Sequence, residues 1–371
     1  MRQGWTHIHL GAGSLGLGFV AHLTAKAGFK VILANRSGDA GSLKKTNAIK
    51  ENRSYLLHIW GQTQREETVQ VDTLLFTDTE EHLLYQRVCD PSTVLLTTAL
   101  KDGLHDSVSL IRAMIQARVT ASIKSPLFII ACENIVDSNK LMSLVKNTPG
   151  IKNSQRRDFD KGIKFVPCVV DRICSKVVYD DDLDSVRVNV EPYARWVIER
   201  TEGIEILEEQ FMSLVERNLV EFVPDIRPYK MRKLWLVNGP HLVAAILSKA
   251  VREERLEVFL RDPTNEAIMR RVQAEFGQAL LMQDNAFSAM DLANFSEGIL
   301  KRFQDYPDSF RRIMSRFNRT TLEGFLKDMY LKVVEPARVL LDRRGAKRAR
   351  WITHSVYEAL RMIEAGDYLA P

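Results

Sequence analysis

Apolar residues form short continuous runs in the first half of the chain and recur at helical spacing in the second half. Two of these runs, Thr93–Thr98 and Leu127–Ala131, are typical of inner parallel strands that are buried on both faces. A short strand is also predicted at Thr6–Leu10, followed by an apolar helix that ends near Ala27. Further strands are predicted at residues 30–34, 165–170 and 185–190.

From about Pro192 onward the pattern changes, and apolar residues recur every three to four positions, as they do in amphipathic helices. Strands alternating with helices, followed by helices alone, predict an α/β protein. We expect a Rossmann-type doubly wound sheet in residues 1–191 and an all-helical domain in residues 192–371, with the functional site in the cleft between them. The later helices are predicted at residues 208–220, 229–251, 265–281, 298–306, 322–342 and 351–364.

Composition excludes several classes of protein. The 371 residues leave room for about two domains, and no stretch of about twenty apolar residues could span a membrane. Because Met1–Gly4 lead straight into the first strand, no signal peptide is expected, and the protein is predicted to be cytoplasmic. The four cysteines form no C-x-x-C pair and are interpreted as reduced thiols. No H-E-x-x-H motif or His/Cys cluster predicts a metal site.

The net charge of +5 is modest. The densest basic stretch, residues 343–350, carries no interleaved aromatic residues, and we interpret it as a solvated helix end rather than a nucleic-acid site. We therefore expect a small-molecule ligand, with no nucleic acid or membrane partner. The protein is expected to be a monomer or a small homo-oligomer.

A glycine-rich turn follows the first strand and precedes a helix, as in dinucleotide-binding folds. Gly11 permits a tight turn, Gly13 lets a pyrophosphate approach the backbone, and Gly16 lets the helix pack close to the strand. The helix N-terminus offers N–H groups to the anion. The sequence therefore predicts a dinucleotide site. Its other candidate residues are Ser14, Leu15 and Thr98.

The end of the second strand indicates which dinucleotide binds. An NAD site usually carries an acidic residue there, which binds the adenosine ribose. This chain has Asn35, Arg36 and Ser37, which supply a cation and a hydroxyl for a 2′-phosphate. NADP(H) is therefore favoured and NAD(H) remains possible, since the triplet could be an ordinary polar loop with Asp39 close by.

A second cluster of candidate residues lies in Lys233–His241, which reads K-x4-N-x2-H within an apolar helical run. At about 100° per residue, Asn238 falls about 140° and His241 about 80° from Lys233 around the helix. One side of the helix could then carry an amine, an amide and an imidazole, which together suit acid/base chemistry. Alternatively, Lys233 is a solvated lysine, Asn238 a cap and His241 a satisfied core residue.

Five segments occur in the order found in the polyol-specific long-chain dehydrogenases/reductases. The chain resembles that family, and most of all its mannitol-1-phosphate 5-dehydrogenases, over roughly residues 5 to 340. The segments lie at residues 11–19, 130–136, 170–173, 190–199 and 233–241.

The resemblance implies a zinc-independent oxidoreductase that interconverts a sugar alcohol, expected to be phosphorylated, and its keto-sugar. Lys233 would be the general acid/base, its pKa lowered by burial and by the nicotinamide cation. Asn238 and Asn134 would donate to the developing alkoxide. His241 would orient Lys233 or bind a neighbouring hydroxyl, and Asp171 would hold the polyol chain unless it pairs with Arg172.

The chain departs from the family at several positions. Where mannitol-1-phosphate dehydrogenases carry an aspartate it has Asn35, so the NAD preference of that group does not transfer. The family's R-F-x-N-P segment keeps Arg316 as a substrate-binding candidate but loses the Asn-Pro pair, and Arg319 could grip an anion or lie on the surface. A hexuronate reductase, a biosynthetic keto-phosphate reductase and a non-catalytic dinucleotide sensor remain as alternatives.

Overall fold

The computed structural model of this chain describes residues 4–60, 64–100, 103–133, 137–147, 161–314, 321–344 and 349–366. Packing divides the chain into two compact units, an N-terminal unit up to Ile226 and a C-terminal unit from Arg227. Among the described residues, no helix is both long enough and apolar enough to cross a bilayer.

The N-terminal unit is built on a six-stranded parallel sheet with the strand order β5-β2-β1-β6-β7-β8. Strands β1, β6 and β7 are buried along their whole length, because apolar clusters pack on both faces of the sheet. The predicted doubly wound α/β fold is confirmed. The strands are β1 (Thr6–Leu10), β2 (Lys30–Asn35), β5 (Thr73–Phe76), β6 (Thr93–Thr98), β7 (Leu127–Ala131) and β8 (Ile163–Phe165).

The direction of winding reverses next to β1. The chain runs from β1 outward to β2 and β5, and then returns to β6 on the other side of β1. Such a reversal opens a crevice at the carboxyl ends of the two central strands, which is where open α/β sheets bind their ligands. The residues after β1 and after β6 therefore meet at the predicted dinucleotide site.

Two smaller sheets complete the N-terminal unit, with the strand orders β10-β11-β3-β4 and β13-β12-β9. Of the four-stranded sheet, only β11 is predicted from the sequence. The strands are β3 (Ser54–Ile59), β4 (Arg65–Gln70), β9 (Cys168–Asp171), β10 (Cys174–Asp180), β11 (Ser185–Val190), β12 (Arg195–Glu199) and β13 (Val220–Val223). The helices of this unit are π1 (Gly16–Ala21), α1 (His22–Lys26), α2 (Ala40–Asn52), α3 (Glu81–Val88), α4 (Leu104–Thr120), α5 (Ser138–Asn147) and α6 (Glu205–Val215).

The predicted boundary after residue 191 falls earlier than the division after Ile226. Strand β12 pairs with β9 and β13, so the chain remains part of the N-terminal unit beyond residue 191. The expectation of helices alone from about Pro192 is therefore wrong for β12 and β13. Helix α6 ends at Val215, so the helix predicted at residues 208–220 extends too far. Its last predicted residue, Val220, is the first residue of β13.

The described elements of the C-terminal unit are helices, as predicted. Helix α8 is its centre, with residues 242–247 all buried, which is the pattern of a helix surrounded by its neighbours. The elements are α7 (Arg227–Lys233), π2 (Leu234–Asn238), α8 (Gly239–Ala250), α9 (Leu256–Arg261), α10 (Pro263–Gln283), α11 (Ala289–Asp305), α12 (Phe310–Met314), α13 (Leu322–Met329), π3 (Tyr330–Val334), α14 (Glu335–Arg344) and α15 (Arg350–Glu364).

Candidate functional site

The glycine-rich turn after β1 requires glycine at two positions and leaves open space at a third. Gly11 has a φ of +110°, and a Cβ there would lie 2.5 Å from the Ala99 carbonyl oxygen. At Gly16 a Cβ would lie 2.0 Å from the Gly11 carbonyl oxygen, so the helix could not pack this close to β1 with any other residue. Gly13 is exposed, and a Cβ there would meet nothing within 4 Å. The turn therefore leaves open space over Gly13, where a pyrophosphate could approach the backbone.

Thr98 and Glu133 lie at the neighbouring strand ends. Glu133 Oε1 accepts a 3.0 Å hydrogen bond from the hydroxyl of buried Thr98 and a 2.7 Å bond from the Leu100 N–H. Glu133 thus ties the end of β6 to the end of β7, a role that the sequence analysis missed. Its sequence neighbour Asn134, a predicted alkoxide donor, lies outside the described residues.

Asn35 ends β2 and joins the glycine-rich turn, because its Oδ1 accepts a 3.1 Å bond from the Ala12 N–H. Asp39, which could have been a ribose ligand, accepts a 2.8 Å bond from the Ser42 N–H and caps α2. Hydrogen bonds from Ser42 hold the pKa of the Asp39 carboxyl below its usual value. The bond to Ser42 gives Asp39 a structural role as the N-cap of α2.

Arg36 and Ser37 each contact a carboxylate that the sequence analysis did not single out. Arg36 Nη2 lies 3.3 Å from Asp106 Oδ2, with both side chains more than half exposed. The Ser37 hydroxyl and backbone N–H both donate to Asp78, which lies just beyond β5. The Ser37 hydroxyl bond is the main reason why the pKa of the Asp78 carboxyl is lowered. The loop after β2 thus brings the Arg36 guanidinium to the Asp106 carboxylate and Ser37 to the Asp78 carboxylate.

Asp171 is buried at the end of β9, and the next residue, Arg172, is buried with it. Arg172 donates to the Glu191 carbonyl at 3.0 Å and to the Gly18 carbonyl at 2.9 Å, and its Nη1 lies 3.0 Å from His22 Nδ1. The guanidinium therefore fastens the helix of the glycine-rich turn to the strand that carries Asp171.

In the C-terminal unit, the K-x4-N-x2-H segment runs through one unbroken helical stretch with a π-helical turn in its middle. Lys233 ends α7, Asn238 ends π2 and His241 lies in the first turn of α8. Pro240 stands where π2 passes into α8. The π turn is closed by a bond from the Gly239 N–H to the Leu234 carbonyl.

The π turn corrects the predicted angles. An i→i+5 bond inserts one residue into the helical turn, which sets every later side chain back by about 100°. Asn238 then falls about 40° from Lys233 rather than about 140°, and His241 about 20° on the other side rather than about 80°. The three residues are partly buried, whereas Trp235, Leu236 and Val237 between them are buried. The π turn thus gathers the amine, the amide and the imidazole on one face.

The second π segment, π3, packs closely against the first. The Trp235 indole N–H donates to the Leu331 carbonyl at 3.3 Å, and a Cβ on Gly239 would lie 2.6 Å from the Lys332 carbonyl oxygen. Gly239 has ordinary helical angles, so this position needs glycine for the close approach alone.

His241 has two neighbours on its own unit that the sequence did not indicate. Its ring stacks on Phe303 with 4.5 Å between centroids and 20° between planes. Its Nε2 lies 3.3 Å from Asp308 Oδ2. Arg316, the predicted substrate ligand, lies with Arg319 outside the described residues.

The four cysteines are free thiols. In the part of the chain that the structure describes, no group of three or more His, Cys, Asp or Glu side chains is arranged to hold a metal ion.

Comparison with known families gives two adjacent matches. Residues 6–206 match the family model for the mannitol dehydrogenase Rossmann domain, and residues 225–344 match that for the mannitol dehydrogenase C-terminal domain.

Two of the curated relatives carry the same name. The mannitol-1-phosphate 5-dehydrogenase of Enterococcus faecalis is 28% identical over 299 residues, which is 80% of this chain and 72% of the relative. That of Shouchella clausii is 26% identical over 363 residues, 97% of this chain and 89% of the relative.

Two solved structures share the fold at low identity. A substrate-free D-sorbitol dehydrogenase matches with a TM-score of 0.78 at 14% identity, over 97% of this chain and 81% of its own. The mannitol 2-dehydrogenase of Pseudomonas fluorescens, solved as a ternary complex with NAD and D-mannitol, matches with a TM-score of 0.70 at 16% identity, over 95% and 78%.

Proposed function

Because the chain belongs to the mannitol dehydrogenase family, and is on that basis a polyol dehydrogenase, we propose that it interconverts a phosphorylated sugar alcohol and its keto-sugar by hydride transfer. The observation that carries the proposal is the common face of Lys233, Asn238 and His241 on the π-interrupted helix. Such an arrangement supplies a proton acceptor, an oxyanion donor and an orienting ring without any metal ion.

Each residue has a separate task in the proposed reaction. In oxidation the reacting hydroxyl gives its proton to Lys233 Nζ. A nicotinamide dinucleotide held by the N-terminal unit would supply the acceptor for the hydride that leaves the same carbon. The Asn238 amide donates to the oxygen as negative charge develops there, and Asn134 supplies a second donor. His241 accepts a hydrogen bond from Lys233 or from a neighbouring substrate hydroxyl. Asp171 and Arg316 bind the rest of the substrate.

The residues that would hold the dinucleotide are those of the N-terminal unit's glycine-rich turn and strand ends. The open space at Gly13 and the close packing at Gly16 fit a pyrophosphate on the backbone of that turn. Ser14 and Leu15 contribute to the same turn, and Thr98 lines the neighbouring strand end.

We further propose that NADP(H) is the preferred cofactor. Arg36 can turn from Asp106 to a 2′-phosphate, because an ion pair with both side chains mostly exposed is weak. The Ser37 hydroxyl adds a donor, and Asn35 avoids the repulsion that a carboxylate at the end of β2 would exert. Asp78 opposes this preference, since its carboxylate lies on Ser37.

We propose a phosphorylated substrate because the two named relatives are mannitol-1-phosphate 5-dehydrogenases whose similarity covers most of this chain. The test is a panel of ketohexoses, ketohexose phosphates and hexuronates, each assayed with NADPH and with NADH, with a Lys233→Ala variant as the blank. We expect the highest kcat/KM for a ketohexose phosphate with NADPH.

Other outcomes of the panel would replace the proposal. Turnover confined to hexuronates would make the protein a hexuronate reductase. Binding of the dinucleotide without turnover of any panel member would favour a non-catalytic sensor.

A further inference from the structure

A carboxylate with no assigned role lies beside His241. Asp308 lies in the turn between α11 and α12, and its side chain is only 2% exposed. Its Oδ2 lies 3.3 Å from His241 Nε2, whose own side chain is 12% exposed. A carboxylate buried this deeply is costly unless specific partners stabilise it, so its position beside an imidazole of the proposed site calls for an explanation.

The turn that carries Asp308 is fixed on both sides. The Leu256 N–H donates to the Asp308 carbonyl at 3.0 Å, and the Phe310 N–H donates to the Glu254 carbonyl at 3.2 Å. The Asp308 N–H in turn donates to Glu257 Oε2 at 3.4 Å. These backbone contacts set the position of the carboxylate independently of His241.

The two oxygens of Asp308 serve different partners. Oδ1 accepts a 2.9 Å bond from the Ser309 N–H and lies 3.8 Å from Arg312 Nε. Oδ2 faces His241. Among the described residues, the charged groups that these contacts bring to Asp308 are His241 on α8, Arg312 on α12 and Glu257 on α9.

We propose that Asp308 is a positioning residue that fixes the tautomer of His241. A neutral imidazole carries one N–H, and a carboxylate that can only accept draws this hydrogen to the nitrogen that it faces. The Nε2–H then belongs to Asp308, and Nδ1 is the acceptor. Phe303, stacked on the ring, restricts its plane.

The tautomer decides what His241 does in the proposed reaction. With Nδ1 as an acceptor, His241 receives a hydrogen bond from the Lys233 amine or from a substrate hydroxyl and cannot donate one in its neutral form. The opposite tautomer would present a donor and compete with the proton transfer that Lys233 carries. This inference rests on the proposed function for the role of His241, but not for its tautomer.

A double-mutant cycle tests whether Asp308 acts through His241. Asp308→Asn should lower kcat roughly tenfold to a hundredfold, as loss of a residue that orients a functional imidazole does, with cofactor affinity unchanged. In a His241→Ala background the same substitution should cost less than about twofold, because the two losses are not additive. Asp305→Asn, an exposed carboxylate at the end of α11, is the matched control and should leave kcat unchanged. Equal losses in both backgrounds would overturn the proposal.

A second measurement needs no substitution at Asp308. In protein labelled with 15N-histidine, the ring nitrogen shifts distinguish the two neutral tautomers, and a His241→Gln sample assigns the resonance. We expect the neutral Nε2–H form for His241 at pH above its titration. The Nδ1–H form would overturn the inference, whereas an active Lys233→Ala enzyme would overturn the proposed function and leave the tautomer untouched.

Discussion

Gly239 offers the sharpest perturbation of the π-interrupted helix, because one added methyl group meets backbone rather than a movable side chain. A Cβ on Gly239 would lie 2.6 Å from the Lys332 carbonyl oxygen and 3.0 Å from Phe276 Cε1. An ordinary van der Waals contact begins near 3.4 Å. The Gly239→Ala variant must therefore open this contact by about 0.8 Å.

The shift has two consequences of different size. Overpacking of this kind costs about 1–3 kcal/mol, and the better helix propensity of alanine offsets up to about 1 kcal/mol of that. The catalytic effect is larger, because Gly239 is the sequence neighbour of Asn238 and lies between it and His241. A misplacement of about 1 Å can cost a hundredfold in rate, so kcat should fall between about tenfold and a hundredfold.

The assay compares Gly239→Ala with Gly298→Ala, which places the same methyl group in the middle of α11 with nothing within 4 Å. Denaturant unfolding gives the stability of each variant, and steady-state kinetics give kcat and KM. The control should be as active as the wild type and more stable by up to about 1 kcal/mol. A Gly239→Ala enzyme with wild-type stability and a kcat within twofold of wild type would refute the packing argument.

Two further predictions concern the N-terminal unit. Burial lowers the pKa of His9 to about 4. Between about pH 6.5 and 4 the folded state therefore binds fewer protons than the unfolded state. The free energy of unfolding should decrease as the pH is lowered through this range, by roughly 3 kcal/mol at pH 4. Urea unfolding gives the difference in unfolding free energy between pH 7 and pH 5, and this difference should be roughly 2 kcal/mol smaller in a His9→Asn variant than in the wild type. An unchanged difference would contradict the lowered pKa of His9. Wild-type enzyme should prefer NADPH over NADH about tenfold to a hundredfold in kcat/KM, and the Asn35→Asp/Arg36→Ala variant should invert that preference. Equal efficiency with NADH in the wild type would mean that Arg36 stays with Asp106.

The strands of the central sheet could be predicted from the sequence because they are buried on both faces. Thr93–Thr98 and Leu127–Ala131 begin and end in the structure where the apolar runs do. The glycine-rich turn could also be predicted from the sequence, since its conformation depends on neighbouring residues. Such features are encoded locally, by continuous hydrophobicity and by the absence of a Cβ.

Other features depend on partners far away along the chain. Strand β13 has only four residues and is stabilised by pairing with β12, and the local pattern predicted no strand there. The π turn lies where Trp235 and Gly239 contact the segment at residues 331–332. Asp308 was missed for the same reason, because only folding places it beside His241.

The central claim is that the face formed by Lys233, Asn238 and His241 carries the acid/base chemistry. The most direct test is single-turnover hydride transfer, followed by nicotinamide absorbance, in Lys233→Ala enzyme saturated with cofactor and substrate. Lys230→Ala, one turn earlier on the same helix and also half-buried, is the matched control. We expect a rate about two to four orders of magnitude below wild type, as for loss of a positioned proton acceptor, with unchanged cofactor affinity and partial rescue by added small amines. A Lys233→Ala enzyme that keeps more than about a tenth of the wild-type rate would contradict it.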